Sequence, residues 1–166
     1  MEYWTPASAL VVAAHPDDIE FGCAGTVARW VQEGARVTYV LVTNGAAGEA
    51  TLAAVIPGSD TRLAYPELLD EGLEPVKLTG VWLMMNMAPN LVVDIGDQID
   101  KKIESLACHV TQIGEDMEES VRFVRGMGEF SAAKEPFQYG EAFRVLRFDL
   151  PWEPPRADPG AALGEA

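Results

Sequence analysis

The chain has 166 residues, of which 48% are hydrophobic and 23% are charged, as expected for a single soluble globular domain. Its net charge of −14 argues against binding to nucleic acid or to an anionic membrane, because both need clustered lysine and arginine. Its two cysteines do not make a disulfide framework, which favours the reducing cytoplasm as the location.

The first part of the chain predicts a β-α-β unit. Residues 9–14 are an unbroken apolar run, which is typical of a parallel strand covered on both faces and is too short to cross a bilayer. Pro16 stops this strand because proline has no N–H for the ladder. Apolar residues at helical spacing over residues 24–31 predict a helix, and Gly34 is its expected C-terminal cap. A second apolar run at residues 37–43 completes a right-handed parallel crossover.

The middle of the chain is less regular. Residues 49–55 predict a short helix, and the cluster Pro-Gly-Ser-Asp at residues 57–60 predicts a turn. Residues 66–75 are interpreted as a loop or a short helix. The run Val-Trp-Leu-Met-Met at residues 81–85 predicts a third strand.

The last part predicts two helices and one more strand. Apolar residues recur on one helical stripe from Ile95 to Ile113, and a more charged helix is expected at residues 115–125. Residues 142–148 partly alternate apolar and polar, which is typical of an edge strand with one solvated face. Because no repeat or linker divides the chain, residues 1–150 are predicted to form one domain and residues 151–166 a disordered tail.

Three polar side chains, His15, Asp17 and Asp18, follow the first strand at its carboxyl end. In open α/β sheets, ligands bind in the crevice beyond these strand ends, and the next helix adds positive partial charge. An imidazole and a carboxylate three residues apart can bind one metal ion from a single turn. Zinc lowers the pKa of a bound water, and Asp17 could then take the proton as a general base.

Other interpretations of this segment stay open at this point. Asp17 or Asp18 could cap the following helix without binding a metal ion. Gly22 and Gly25 suggest a dinucleotide site, but they lack the G-x-G-x-x-G spacing, which disfavours that interpretation.

The run V-V-A-A-H-P-D-D-I-E-F-G-C-A-G-T, residues 11–26, resembles the N-terminal signature of the LmbE/PIG-L family. Further stretches that are similar to the family are residues 40–45, 89–95, 100–103, 109–112 and 141–144. The resemblance covers most of the chain, and its first block is highly specific. It implies an α/β fold of the Rossmann-like three-layer αβα type with a mostly parallel sheet.

The resemblance also implies an activity. Family members are metal-dependent hydrolases of the N-deacetylase type, which remove an acetyl group from small molecules that resemble N-acetylglucosamine. By analogy, His15 and Asp18 are the ligands of a Zn²⁺ ion and Asp17 is the general base. Glu20 is expected to support the loop.

The chain departs from the family pattern in its middle. Family members carry a second motif of the form His-Pro-Asp-His, whose last histidine is the third zinc ligand, and the sequence contains no such motif. The Thr-Asn-Gly loop and the family's next recognisable stretch nearly abut at residues 45–49. An internal deletion is the simplest account, which leaves a fold truncated in the middle.

This departure has consequences for the metal site. With two protein ligands instead of the usual three, zinc is expected to bind weakly. His109 is interpreted as a histidine at the border of its helix, bonded to the backbone or to a carboxylate, rather than as the missing ligand. Two hypotheses remain, a working zinc amidase and a non-catalytic family member or deletion product. Open sheet edges would favour a homo-oligomer.

Overall fold

The computed structural model describes residues 1–41, 54–109 and 117–148. Three predictions lie wholly or mainly outside these residues, namely the helix at 49–55, the deletion point at 45–49 and the tail at 151–166. Within the described ranges, no helix is both long and apolar enough to span a membrane.

The first part of the chain forms a two-stranded parallel sheet. β1 (Ser8–Ala13) pairs with β2 (Arg36–Leu41), and two helices connect them, α1 (Pro16–Gly22) and α2 (Ala24–Gln32). The predicted strand, helix and parallel strand are therefore confirmed. The expected cover on both faces of the first strand is not, since Leu10 is 62% exposed, and the second strand exposes Val40 and Leu41. The helical connection is split in two at Cys23, which ends α1 and precedes α2.

The C-terminal end of α2 has the predicted glycine. Gly34 has a φ of +94°, a left-handed conformation that costs a residue without a Cβ little. Its N–H donates to the carbonyl of Val31 over 3.1 Å, and the N–H of Ala35 donates to that of Trp30 over 2.8 Å. These bonds satisfy carbonyls at the helix end and turn the chain into β2.

The remaining elements follow in chain order. They are a π-helical turn (Ala54–Gly58), α3 (Pro66–Asp70), β3 (Gly80–Met84), β4 (Leu91–Asp94), a 3₁₀ turn (Gly96–Gln98), α4 (Ile99–Ala107), α5 (Met117–Ser131) and β5 (Gly140–Arg147). The fold is thus mixed α/β, with one parallel and one antiparallel sheet.

The second sheet has the strand order β3-β5-β4, and both of its pairs are antiparallel. The expectation of a mostly parallel sheet is therefore not met by the described strands. β3 and β4 do run parallel to each other, but β5 lies between them. The connection between them, residues 85–90, is too short for the crossover that adjacent parallel strands need.

Two sequence predictions are corrected in this region. β5 is the central strand of its sheet and not an edge strand, although its alternation of buried Phe143 and Val145 with exposed Arg144 does give it one solvated face. The strand β4 was not predicted. The helix predicted from Ile95 begins at Ile99, because residues 96–98 form a 3₁₀ turn first.

An aromatic cluster joins the two sheets. Trp82 of β3 makes edge-on contacts with Trp4, with Trp30 of α2 and with Phe143 of β5, at centroid distances of 4.8, 4.9 and 5.3 Å. Edge-to-face pairs at these distances are the favoured aromatic geometry. The cluster therefore packs the parallel unit onto the antiparallel sheet.

The two motif glycines serve packing. A Cβ on Gly25 would approach the side chain of Ile95 to 2.8 Å, and one on Gly22 would clash with the sulfur of Met84. These positions therefore let α1 and α2 lie close against the second sheet, which explains the glycines without a phosphate ligand.

Candidate functional site

The predicted site residues lie in the turn that leads from β1 into α1. β1 ends at Ala13, opposite Leu41 at the end of β2, so the turn extends beyond the carboxyl edge of the parallel sheet. His15 is the N-cap residue of α1, and its extended backbone starts the helix. Asp17 and Asp18 occupy the first helical turn, where the helix dipole stabilises negative charge.

The structure brings His15 and Asp18 together. The Nδ1 atom of His15 lies 3.6 Å from Oδ2 of Asp18, and the His15 side chain is 64% exposed. The backbone N–H of His15 also donates to Oδ2 of Asp18 over 2.9 Å. Asp18 therefore caps the helix, and it does so while facing the imidazole.

The cap does not prevent Asp18 from binding a metal ion. A carboxylate has about four acceptor positions, and the N–H of His15 uses one of them. In a tetrahedral zinc site with bonds of about 2.1 Å, two ligand atoms are about 3.4 Å apart. The observed 3.6 Å separation fits that spacing. His15 and Asp18 therefore have the chemistry and the spacing for two ligands of one ion.

The described part of the chain supplies no complete set of ligands. Within it, no group of three or more His, Cys, Asp and Glu side chains is placed to hold a metal ion. Catalytic zinc usually has three protein ligands. His15 and Asp18 are two candidate donors, one fewer than such a set.

Ser105 of α4 and His109, which lies two residues beyond the end of that helix, contact Glu20 of α1. The hydroxyl of Ser105 donates to Oε1 of Glu20 over 3.3 Å. Nε2 of His109 lies 3.5 Å from Oε2 of Glu20, an oxygen that accepts no hydrogen bond from the described residues. His109 therefore lies beside a carboxylate, as its interpretation expects, but is not hydrogen-bonded to it.

A buried ion pair also anchors the C-terminal end of α1. Lys102 and Glu141 are 7% and 4% exposed, and Nζ lies 2.6 Å from Oε1. Glu141 also accepts the backbone N–H groups of Gly25 and Thr26 at the start of α2, while Lys102 donates to the carbonyl of Phe21. The pair thus joins α1, α2, α4 and β5.

The roles of Lys102 and Glu141 were not predicted, although the sequence contains a signal for both. Lys102 lies at helical spacing between Ile99 and Leu106, on the buried stripe of its helix. Glu141 shares the inward face of β5 with Phe143. A charge at a core position needs a partner of opposite sign, and these two residues are partners.

Burial makes Cys23 unreactive. It lies between α1 and α2, and desolvation together with the negative charge of Glu141 raises the pKa of its thiol to about 12. A thiol of that pKa is protonated at neutral pH and is therefore a poor nucleophile. Cys23 thus packs as a small buried hydrophobic side chain, whereas Cys108 is exposed.

A shallow groove of about 300 Å³ lies away from the His15 turn, between α2, β2 and α4. Its walls include Val27, Val31, Tyr39, Lys101 and Ser105. His15, Asp17 and Asp18 are not among its lining residues. The groove and the candidate site at the His15 turn are therefore separate parts of the surface.

Residues 10–105 match the PIG-L family, which is described as GlcNAc-PI de-N-acetylase. This match covers more than half of the chain, and the chain therefore belongs to the PIG-L family.

Two curated relatives align with parts of the chain. The uncharacterized deacetylase YaiS of Escherichia coli (strain K12) is 46% identical over 39 residues, which is 24% of this chain and 21% of that protein. The 1D-myo-inositol 2-acetamido-2-deoxy-alpha-D-glucopyranoside deacetylase of Streptomyces scabiei (strain 87.22) is 41% identical over 75 residues, which is 43% of this chain and 23% of that protein. The alignments thus span less than a quarter of either relative.

A solved structure shares the fold. The N,N'-diacetylchitobiose deacetylase from Pyrococcus horikoshii, complexed with its inhibitor MPG, superposes with a TM-score of 0.69 at 20% identity. The superposition covers 85% of this chain and 84% of that chain. At this identity the likeness shows that the two proteins share the fold.

Proposed function

We propose that the chain is a metal-dependent N-deacetylase that removes the acetyl group of a substrate resembling N-acetylglucosamine. One observation carries the proposal, which is the 3.6 Å separation of His15 Nδ1 and Asp18 Oδ2 beyond the carboxyl edge of the parallel sheet. The family and the named activities of the relatives support the reaction and the substrate class.

In this proposal His15 and Asp18 hold the metal ion and Asp17 is the general base. A bound zinc ion supplies Lewis acidity that activates both water and an amide carbonyl. A carboxylate oxygen of Asp17 accepts the proton of the attacking water and returns a proton to the departing nitrogen. The water oxygen forms a bond to the acetyl carbon, the C–N bond breaks, and acetate and a free amine leave.

The surrounding contacts support this role for α1. Glu20 and Phe21, in the same helix as Asp17, accept hydrogen bonds from Ser105 and Lys102 of α4. A general base must stay within hydrogen-bonding distance of the water that it deprotonates. These contacts limit movement of the helix that carries Asp17 and so favour a fixed position for its carboxylate.

An amine-release assay tests the proposal. Purified protein with added zinc is incubated with N-acetylglucosamine conjugates, and free amine is measured for the wild type, Asp17→Asn and the control Asp70→Asn at the exposed end of α3. We expect turnover that falls by about 10²–10⁴-fold in Asp17→Asn, since that is the usual contribution of a general base. The control variant is expected to match the wild type. Equal turnover in Asp17→Asn would rule out the assigned role.

A second candidate function is a non-catalytic family member that keeps the fold. It is favoured by the number of ligands, because the described residues provide two donors where catalytic zinc usually has three. The same assay separates the candidates. No amine release by folded wild-type protein, at any zinc concentration and with every conjugate, supports the non-catalytic candidate.

A further inference from the structure

The break between α1 and α2 falls at Cys23, which is buried. Cys23 is the N-cap residue of α2, but its side chain makes no capping hydrogen bond. The first backbone N–H groups of a helix have no partner inside that helix, and burying such groups unpaired is costly. The start of α2 therefore needs acceptors from another part of the chain.

Glu141 and Lys102 supply groups of opposite charge to the two helix ends. The carboxylate of Glu141 accepts the N–H groups of Gly25 and Thr26, over 2.9 and 2.7 Å, at the start of α2. The ammonium of Lys102 donates to the carbonyl of Phe21, over 2.8 Å, in the last turn of α1. A carboxylate is stabilising at the positive N-terminal end of a helix dipole, and an ammonium at the negative C-terminal end. The pair thus matches the charge at both helix ends.

Stability alone does not explain why this place holds charges. The side chains of Lys102 and Glu141 are almost fully buried, and apolar side chains of similar volume are often as stabilising as a buried ion pair. Apolar side chains, however, cannot bind backbone groups in a fixed direction. The charged pair binds the end of α1 and the start of α2 through directional hydrogen bonds, and so constrains how the two helices lie relative to each other.

We propose that Lys102 and Glu141 are positioning residues for the candidate site at the other end of α1. This helix has seven residues, so its two ends are about 10 Å apart along the axis. A helix of this length is not stable by itself, and its contacts with the rest of the protein decide where it lies. Holding its C-terminal end therefore directs the N-terminal turn that carries His15, Asp17 and Asp18. The effect on catalysis by Asp17 rests on the proposed function, whereas the effect on the turn does not.

Hydrogen exchange of single backbone amides, followed by NMR on the full chain, tests the proposal without metal or substrate. The N–H of His15 reports on the site turn because it donates to Oδ2 of Asp18 over 2.9 Å. The double variant Lys102→Met/Glu141→Gln leaves no charge unpaired. We expect its His15 amide to exchange at least about tenfold faster than in the wild type. The amide of Gly34, just beyond the C-terminal end of α2, should keep its rate within about twofold.

A second variant keeps the proposal testable if the double variant does not fold. Glu141→Asp retains a negative charge for Lys102, but its carboxylate is one methylene shorter and cannot reach both the ammonium and the α2 N–H groups at the observed distances. We expect a smaller increase, about threefold, in the exchange rate of the His15 amide. The control protein is Arg62→Gln/Glu74→Gln, which removes an exposed ion pair and should exchange like the wild type. Circular dichroism checks that each variant is folded.

Turnover measures the effect on the general base. If the wild type releases amine, kcat of the double variant should fall by about 10–100-fold while KM stays within about twofold, because a misplacement of about 1 Å can cost about 100-fold in rate. A wild type without turnover would refute the proposed function, and the exchange experiment would still decide whether the pair positions the turn.

Three results would overturn the proposal. One is a His15 amide whose exchange rate is unchanged in the folded Glu141 variants. Another is an equal acceleration at His15 and Gly34, because the pair would then stabilise the whole fold without directing α1. The third is an unchanged kcat in the double variant of an active enzyme.

Discussion

At the residue scale, the position of Asp18 is compatible with both roles that the sequence presents as alternatives, a helix cap and the proposed metal ligand. Its carboxylate caps α1 through the His15 N–H and also faces the His15 imidazole. A cap needs an acceptor oxygen, whereas a metal ligand also needs the negative charge. Substitutions that remove one property at a time can therefore separate the two roles.

The first prediction concerns the stability of Asp18 variants without metal. Asp18→Asn keeps an oxygen that can accept the His15 N–H, so its free energy of unfolding should stay close to that of the wild type. Asp18→Ala removes the cap and should cost about 1 kcal/mol. Urea denaturation in the presence of a chelator measures both values. Equal losses in the two variants would show that the charge, and not the cap, stabilises the turn.

The second prediction concerns the thiols. Cys108 is exposed, whereas the buried Cys23 has a pKa of about 12, so native protein should expose one thiol to Ellman's reagent at pH 8 and unfolded protein two. The raised pKa of Cys23 also makes the free energy of unfolding depend on pH.

The folded protein holds the proton of the Cys23 thiol more tightly than the unfolded chain does, because the pKa of that thiol is about 9 when the chain is unfolded.

The pH window follows from that difference. The contribution of Cys23 to stability is complete below about pH 9 and is lost as the pH rises from 9 towards 12, because the unfolded thiol ionises first. Urea denaturation over this range should show a smaller decline in Cys23→Ala than in the wild type. A decline of the same size in both proteins would assign the effect to other groups.

At the element scale, the pair Lys102 and Glu141 holds four elements at one point. Glu141 belongs to β5. Its carboxylate accepts hydrogen bonds from two backbone N–H groups at the start of α2 and from the ammonium group of Lys102 in α4. Phe21, in the last turn of the helix that carries Asp17, accepts a hydrogen bond from Lys102 through its carbonyl. The candidate site therefore depends on contacts far along the chain.

The third prediction is that breaking this pair is costly. Glu141→Gln or Lys102→Met leaves one buried charge without its partner, and each should lower the free energy of unfolding by roughly 3–5 kcal/mol. The double variant should lose less than the sum of the two single losses, since neither charge is then stranded. Arg62→Met, in an exposed ion pair with Glu74, is the control and should cost under about 1 kcal/mol. Additive losses would mean that the pair is not coupled.

The elements differ in how well the sequence predicts them. β1, α2 and β2 are predictable because the signals for them, the apolar patterns and the strand end at Pro16, lie within their own segments of the sequence. β4 has only four residues, too few to show a period before the helical stripe that begins at Ile95. The central position of β5 depends on which strands pair with it, and the alternation of apolar and polar residues within one strand does not reveal its neighbours.

In the candidate site, too, some features follow from neighbouring residues and others need the folded structure. Its turn is predictable from His15, Asp17 and Asp18, because they are adjacent in sequence and their spacing fixes them on one turn. The contacts that hold α1, made by Ser105 and Lys102, come from far along the chain and need the fold to be known.

At the scale of the whole molecule, the net charge of −14 destabilises the compact state through self-repulsion. The fourth prediction is that salt relieves it. Raising sodium chloride from about 10 to about 200 mM shortens the Debye length from about 30 Å to below 10 Å. If the screening is worth about 1 kcal/mol, Tm should rise by about 2–4 °C at pH 7.

The control is the same change in salt concentration at a pH where the protein carries little net charge. At the pI of about 4.4 the net charge is close to zero, and the same salt step should change Tm much less. Scanning calorimetry measures both conditions. A salt effect of equal size at the two pH values would point to specific ion binding and not to general repulsion.

The central claim is that His15 and Asp18 bind one metal ion through their side chains. A zinc titration by calorimetry tests it most directly, with wild-type protein, His15→Ala, Asp18→Asn and the exposed control Asp70→Asn. We predict one weak site per chain that is retained incompletely through dialysis, because two donors bind less tightly than three. Affinity should fall at least about tenfold in His15→Ala and Asp18→Asn and stay unchanged in the control. Zinc affinity that is the same in all four proteins would contradict the account.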